Sequence, residues 1–458
     1  MTNGVTNGVT NGVTNGVTNG SDREFDIVLF GATGFVGRLT AAYLAEHAGH
    51  EVRIALAGRD RRRLEALRRQ LPRGASEWGI VEADATEPTT LAAIAARARV
   101  VATTVGPYAV LGMPLVEACA SAGTHYCDLT GELLFVRESI DTWHATAVDT
   151  GARIVHACGF DSIPSDLGVL VTADRVAADG EGELTRTTLA VRSLKGGISG
   201  GTIDSLRQQT IIARREPAVR TILADPYALS PDRMAEPSSP RVDDGPAPAT
   251  GAVARAWGQV TGVVAAARKR IPVERDPQTG RWTGPFVMGP FNARIVRRSN
   301  ALSQWRYGRA FRYREVVDFG SAATAPVLAG GMAAGAAGLV AAMSFDTSRA
   351  VVDRLLPKPG EGPSEEARAA GRFRLVISTR TSTGADYLTR VGADYDPGYD
   401  GTAVMLGESA LALAFDEDRL PAAAGVLTPA TGLGMPLVQR LRERGFSFDC
   451  DRGVLAAG

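Results

Sequence analysis

The sequence predicts an α/β fold in which a parallel sheet, flanked by helices, forms the first part of the chain. Short apolar runs alternate with helical stretches between Phe25 and His156, which is the order of strands joined by crossover helices. A glycine turn follows the first run. After this region, Glu183 to Val191 partly alternates apolar and polar residues, as a half-buried strand of a second region does.

Composition excludes several classes of function. Lys and Arg total 50 and Asp and Glu total 50, giving a formal net charge of zero, so we expect no nucleic-acid partner. The four cysteines show no C-x-x-C spacing and the five histidines no H-E-x-x-H pattern. We therefore expect neither disulfides nor a metal site, and a cytoplasmic location.

The first residues are excluded from the fold. Residues 2–17 are four copies of T-N-G-V, with no charge and no lasting apolar face. Such low-complexity sequence predicts a disordered tail over residues 1–22, without the pattern of a signal peptide.

The first strand, Phe25 to Phe30, leads into a turn with the spacing G-x-x-G-x-x-G and then a helix. This is the dinucleotide fingerprint of a Rossmann-type sheet in variant spacing: the first glycine permits the tight turn and the third lets helix and strand approach. The helix N-terminus then presents free N–H groups to phosphate. A turn that only packs the helix on the sheet is the alternative. The predicted phosphate-binding residues are Gly31, Thr33, Gly34, Phe35, Val36, Gly37 and Arg38.

The second strand, Val52 to Ala57, ends in Gly58-Arg59-Asp60. An arginine here suits the 2′-phosphate of NADP, whereas an NAD enzyme usually places an acid against the ribose. We therefore predict that Gly58 and Arg59 bind NADP, and that Asp60 is the N-cap of the next helix. Asp84, after the third strand, either meets the adenine or caps its turn.

The fourth strand is followed by Gly106-Pro107-Tyr108 and the sixth by Asp161-Ser162. Ligands of such sheets lie at the carboxyl ends of the strands, so Gly106 and Pro107 should lie beside the nicotinamide. Tyr108 either donates a hydrogen bond to the substrate or packs under the ring. Asp161 and Ser162 either take part in catalysis or cap the helix that Pro164 begins.

Several motifs together resemble one family. They are Val105–Tyr108 (V-G-P-Y), His125–Glu132 (H-Y-C-D-L-T-G-E), Gly159–Gly168 (G-F-D-S-I-P-S-D-L-G), Tyr399–Thr402 (Y-D-G-T) and Gly425–Pro429 (G-V-L-T-P). They resemble the saccharopine dehydrogenase-like oxidoreductases, and within them the trans-acting enoyl reductase branch.

The resemblance implies an NADP-binding Rossmann domain over residues 23–170 and an α+β domain with substrate and homodimer contacts over 171–398. It also implies that a C-terminal segment, 399–458, packs back on the first domain. The substrate would be an α,β-unsaturated acyl thioester, held on a polyketide synthase or carrier protein.

Two stretches of the second domain have open interpretations. Gly200, Gly201 and Thr202 precede a predicted helix, Ile203 to Arg214, and either bind substrate through backbone N–H groups or form a plain connector. Gly320 to Phe345 contains no charged residue. It is long enough to span a bilayer, but its Ala and Gly content equally suits peripheral lipid contact or, best, a buried helix.

The residues exclude two common chemistries. No tyrosine lies four residues before any of the three lysines, Lys195, Lys269 and Lys358, which excludes the Tyr-x-x-x-Lys mechanism of short-chain dehydrogenases. No G-x-S-x-G elbow is present for Ser-His-Asp hydrolysis. The hypothesis that the resemblance implies is reduction of the enoyl thioester by NADPH, with a saccharopine-reductase-like C=N or C–N oxidoreductase and a non-catalytic, lipid-associated NADP-binding protein as alternatives.

Overall fold

The computed structural model describes residues 23–196, 217–237, 273–276, 279–332, 335 and 362–453. The expectations for residues 1–22, for Gly200, Gly201 and Thr202, and for the helix over 203–214 lie outside these residues.

The first sheet has seven strands that all run parallel. Its strands are β1 (Phe25–Phe30), β2 (Ile54–Gly58), β3 (Gly79–Glu82), β4 (Ala98–Thr103), β5 (His125–Asp128), β6 (Arg153–Val155) and β13 (Gly425–Leu427). The strand order is β13-β6-β5-β4-β1-β2-β3, so the order reverses between β1 and β4. Ligands of such sheets bind at this switch point. The predicted Rossmann-type α/β sheet is confirmed.

Helices connect these strands along the chain. They are α1 (Phe35–His47), α2 (Arg61–Gln70), α3 (Pro88–Arg97), α4 (Tyr108–Leu111), α5 (Met113–Ala122), α6 (Leu133–Thr150) and α7 (Ile163–Ala178), with a 3₁₀ turn at Arg73–Ala75. Helix α1 begins directly after Gly34. Its first N–H groups therefore lie at the glycine turn.

The second sheet is mixed. Its strands are β7 (Leu184–Lys195), β8 (Glu274–Arg275), β9 (Trp282–Pro285), β10 (Arg312–Gly320), β11 (Arg372–Thr381), β12 (Asp386–Ala393) and β14 (Ser447–Arg452), in the order β14-β12-β11-β7-β10-β9-β8. Only β7 and β10 pair in parallel. The remaining labelled helices are α8 (Pro217–Ala224), α9 (Gly289–Leu302), α10 (Glu365–Ala369), α11 (Asp400–Phe415), α12 (Pro429–Gly432) and α13 (Gly434–Glu443). Helix α9 packs against both β10 and α7, so it joins the two sheets.

The C-terminal part of the chain contacts the first sheet. Strand β13 pairs with β6, with Val426 opposite Ile154, and α11 packs on α1 and β4. The last strand, β14, instead pairs with β12 of the second sheet, a contact that the sequence did not indicate.

Within the described parts of the chain, no helix has the length and apolarity needed to cross a membrane. The uncharged stretch 320–345 is described only at 320–332 and 335, where residues 325–332 are helical.

A buried carboxyl group joins the segments that meet behind the cleft. Asp166 of α7 is fully buried. It accepts hydrogen bonds from the Ser299 hydroxyl (2.5 Å) and from the Ala430 backbone N–H (2.8 Å). Burial raises the pKa of Asp166 to about 7, because desolvation disfavours the charged form.

We expect this carboxyl to make folding stability fall as pH rises. The folded state holds the Asp166 proton up to about pH 7, whereas the unfolded chain releases it near 3.8, so the unfolded state binds fewer protons in between and stability declines across that window. Asp166→Asn should remove this part of the slope, measured as the free energy of unfolding in denaturant from pH 4 to pH 8. The exposed Asp418→Asn is the control, and parallel curves for Asp166→Asn and wild type would contradict the assignment.

Candidate cofactor and substrate cleft

The glycine turn has the geometry that a dinucleotide phosphate requires. Gly31 has φ +84°, a conformation that side chains disfavour. A Cβ at Gly37 would collide with the Gly31 carbonyl oxygen, so α1 can lie this close to the turn only with glycine. No side chain caps the N-terminus of α1, and its first N–H groups therefore suit an anionic ligand.

The residues predicted to bind the adenosine half of the cofactor follow β2 and β3. Arg59 is exposed directly after β2. Asp60 caps α2 by accepting from the Arg63 N–H at 3.1 Å, as predicted. Asp84 accepts from the backbone N–H (2.9 Å) and the hydroxyl (2.8 Å) of Thr86, which is the turn-capping alternative. These hydrogen bonds, aided by the charge of Arg59, lower the pKa of Asp84, so Arg59 lies near that carboxylate.

Tyr108, predicted to lie beside the nicotinamide, is buried. Its hydroxyl donates to the Thr103 carbonyl (3.1 Å) and accepts from the Leu129 N–H (3.2 Å). Its ring packs against Phe135 with centroids 5.6 Å apart. Burial raises the pKa of Tyr108 well above its usual value. These contacts favour the packing role over the hydrogen-bond donor.

Ser162 also uses its hydroxyl internally. The residue occupies the N-cap position of α7 without a side-chain cap, and its hydroxyl donates to Asn292 Oδ1 of α9 at 3.0 Å. It is 1% exposed. The structure thus places Ser162 in a bridge between α7 and α9 rather than in the capping contact that the sequence suggested.

Asp161, the third predicted catalytic residue, follows β6 at the carboxyl edge of the first sheet. It is partly exposed, whereas Tyr108 and Ser162 are buried. A Cβ built at Gly131 would lie 3.8 Å from Asp161 Oδ2 and 3.2 Å from Met288 Cε. The end of β5, the start of α7 and the start of α9 therefore converge around this carboxyl group.

Comparison with known proteins supports this assignment of the cleft. A family model described as the saccharopine dehydrogenase NADP binding domain matches residues 27–155. A putative trans-acting enoyl reductase of Mycobacterium tuberculosis is 51% identical over 433 residues, covering 94% of this chain and 98% of the relative. The chain belongs to the saccharopine dehydrogenase-like family, in its trans-acting enoyl reductase branch.

Two further proteins, one found by sequence and one among solved structures, also resemble the chain. A trans-acting enoyl reductase of Mycobacterium ulcerans is 47% identical over 437 residues, covering 94% of this chain and 99% of that protein. Among solved structures, a saccharopine dehydrogenase (L-Glu forming) of Saccharomyces cerevisiae is 14% identical with a TM-score of 0.49, covering 93% of this chain and 99% of that one. As a member of this family, the chain is an NADP-dependent oxidoreductase, and its glycine turn fits that cofactor.

A second polar cluster lies beside Asp161, and the sequence did not indicate it. Asn292 Nδ2 donates to Glu315 Oε2 at 2.9 Å, and the Tyr313 hydroxyl donates to Glu315 Oε1 at 2.8 Å. Burial raises the pKa of Glu315 to about 7, and the charge of Asp161 adds to that rise. Asn292 and Glu315 lie in different elements of the second domain, so no local spacing could have connected them to Ser162.

A second missed network lies under the floor of the cleft. Asp128 at the end of β5 accepts from the Tyr126 hydroxyl (2.9 Å), and its Oδ2 lies 2.7 Å from His156 Nδ1. His156 Nε2 is 2.8 Å from the Ser139 hydroxyl. This Ser-His-Asp sequence of contacts is fully buried, so it holds the sheet together and is closed to a substrate. The H-Y-C-D motif, which contains Tyr126 and Asp128, was the one feature of the sequence that pointed to this network.

Side chains from distant parts of the chain pack beside the phosphate turn. The Phe35 ring packs edge-on against Tyr399, with centroids 5.0 Å apart. The guanidinium groups of Arg38 and Arg368 lie 5.9 and 5.5 Å from the Phe35 ring centroid. Two guanidinium groups, one of them from a distant part of the chain, therefore lie beside the first residue of α1.

No cluster of metal ligands is present among the residues that the structure describes.

Proposed function

We propose that this protein is an NADPH-dependent enoyl reductase that acts in trans on an α,β-unsaturated acyl thioester bound to a separate synthase or carrier protein. The observation that carries the proposal is the near full-length identity of 51% to a protein named as a putative trans-acting enoyl reductase. The uncapped helix and close glycine contact at the phosphate turn support the cofactor half of the proposal.

The cofactor, when bound, supplies a hydride. The chain has to hold the nicotinamide and thioester in register, exclude water, and deliver a proton to the α-carbon of the substrate. We assign to Asp161 the passing of a proton from solvent to that carbon. Asp161 is partly exposed at the carboxyl edge of the first sheet, whereas Tyr108 and Ser162 are buried. Gly106 and Pro107 would flank the nicotinamide, and Gly58 and Arg59 the 2′-phosphate.

Cofactor choice gives one prediction. Arg59→Ala should weaken NADPH binding by about 30-fold, which corresponds to the roughly 2 kcal/mol of a hydrogen bond to a charged group, and should leave NADH binding nearly unchanged. Calorimetry with both cofactors measures the effect. Arg63→Ala is the matched control, because Arg63 lies four residues away in the first turn of α2, with its side chain 78% exposed and paired with Asp60. Equal losses of NADPH and NADH affinity would remove the 2′-phosphate role.

The reaction itself is tested by NADPH oxidation with purified protein. A short enoyl thioester should be consumed in a one-to-one ratio with NADPH and yield the saturated thioester. Saccharopine and an imino acid serve as comparison substrates for the C=N oxidoreductase alternative. A protein that binds NADPH but oxidises it with none of these substrates would contradict the enoyl reductase proposal and favour a binding role.

We also propose a homodimer and peripheral contact with lipid or acyl chains. Val327, Leu328 and Met332 are 75%, 59% and 40% exposed on the helical residues that follow β10, and exposed apolar groups of this kind suit an apolar partner. Light scattering and vesicle flotation test the two proposals separately.

A further inference from the structure

Three adjacent loops at the carboxyl edge of the first sheet are tied to one another by buried side chains. The Tyr108 hydroxyl joins the loop after β4 to Leu129, in the loop after β5. Asp128 Oδ1 accepts from the N–H groups of Thr130 (3.1 Å) and Ala157 (2.9 Å), which joins the loop after β5 to the loop after β6. The three loops therefore form one continuous hydrogen-bonded frame.

Glu132 makes the strongest tie in this frame. Its Oε1 accepts from the Tyr108 N–H at 2.9 Å and its Oε2 from the Ala109 N–H at 2.8 Å. These N–H groups open the short helix α4, whose N-cap residue, Pro107, makes no side-chain cap. Glu132 is fully buried, so its oxygens face these groups and not solvent. A carboxylate 24 residues along the chain thus takes the place of the missing cap.

We propose that Glu132 is a positioning residue for the reduction, because its carboxylate fixes the Gly106–Pro107 loop against which the nicotinamide half of the cofactor lies. The inference rests on the proposed function for the location of the nicotinamide. The buried carboxylate of Glu132 could be mistaken for a catalytic group. Both of its oxygens, however, accept hydrogen bonds from backbone N–H groups.

The chemistry of the side chain explains why glutamate is needed. A carboxylate offers two acceptor oxygens, one for each N–H group. Glutamine has nearly the same shape but only one acceptor, and its NH₂ group would face a backbone donor. Glu132→Gln therefore removes one of these two hydrogen bonds together with the negative charge, and the loop should shift where the nicotinamide binds.

The test compares Glu132→Gln with Glu87→Gln in the full chain. Glu87 is exposed at the N-cap position of α3 and makes no side-chain cap, so it controls for the loss of an acid near a helix start. For Glu132→Gln we expect unchanged affinity for 2′,5′-ADP, which probes the adenosine half alone. We also expect a smaller fluorescence change of bound NADPH, and a kcat for the enoyl thioester lowered at least about tenfold, since small misplacements of reacting groups are costly.

A wild-type kcat and NADPH fluorescence in Glu132→Gln, with only a lower melting temperature, would overturn the proposal and leave Glu132 a structural cap. If Glu132→Gln fails to fold, Tyr108→Phe removes only the hydroxyl that ties the same loop to Leu129. An unchanged nicotinamide fluorescence in Tyr108→Phe would then overturn the proposal. The binding measurements need no substrate, so absence of turnover in wild type would count against the proposed reaction and not against the role of Glu132.

Discussion

Gly37→Ala is expected to abolish productive binding of NADPH. The added methyl group would collide with the Gly31 carbonyl oxygen and lie 2.9 Å from the Ala32 Cα, and backbone atoms at such distances must move apart. Overpacking of this kind costs about 1–3 kcal/mol. Strain at the upper end of that range, placed in the phosphate turn, corresponds to a loss of affinity of about 100-fold.

Calorimetry with NADPH and thermal unfolding of the same samples measure the two consequences. Gly74→Ala is the matched control, because a Cβ there meets its nearest neighbour, an atom of His50, at 3.5 Å, an ordinary contact. A Gly37→Ala protein that binds NADPH as wild type does would show that the turn does not hold the phosphates.

Asp161→Asn is expected to lower kcat by about 100-fold, the lower end of what a positioned general acid contributes. The amide keeps the size of the side chain but cannot deliver a proton to the α-carbon. NADPH affinity should change little, because Asp161 lies at the β5–α7 edge near Gly131 and Met288, away from the glycine turn.

Steady-state kinetics and deuterium incorporation from D₂O at the α-carbon measure this effect. Asp149→Asn, an exposed substitution on α6, controls for the loss of a negative charge. If Asp161→Asn retains full kcat, proton delivery must be assigned to another group.

The sequence was informative wherever a few neighbouring residues determine both structure and chemistry. The G-x-x-G-x-x-G spacing predicted the turn, since strand, turn and helix follow one another along the chain. The same holds for the Asp60 cap, whose carboxylate accepts a hydrogen bond from an N–H only three residues away. Helix starts were less predictable: α1 begins at Phe35 because Gly34 takes the N-cap position without a side-chain signal.

The candidate site shows where sequence reasoning stops. Tyr108 and Ser162 were both reasonable choices for a catalytic role, because each follows a strand at the ligand-binding edge. Their hydroxyl groups are committed to Thr103 and Asn292, and the second partner is 130 residues away. Spacing places a side chain at the edge of a sheet, but it does not tell whether another element has already satisfied its hydrogen bonds.

By itself, the sequence determined the parallel sheet, its phosphate turn and the arginine at the end of β2, because these features depend on contacts within short stretches of chain. Only the tertiary structure decided which polar groups face the cleft and which lock its loops. Glu132, Asn292, Glu315 and Asp166 find their partners across 23 to 264 residues, and a buried polar group takes its role from the donors and acceptors that folding brings to it.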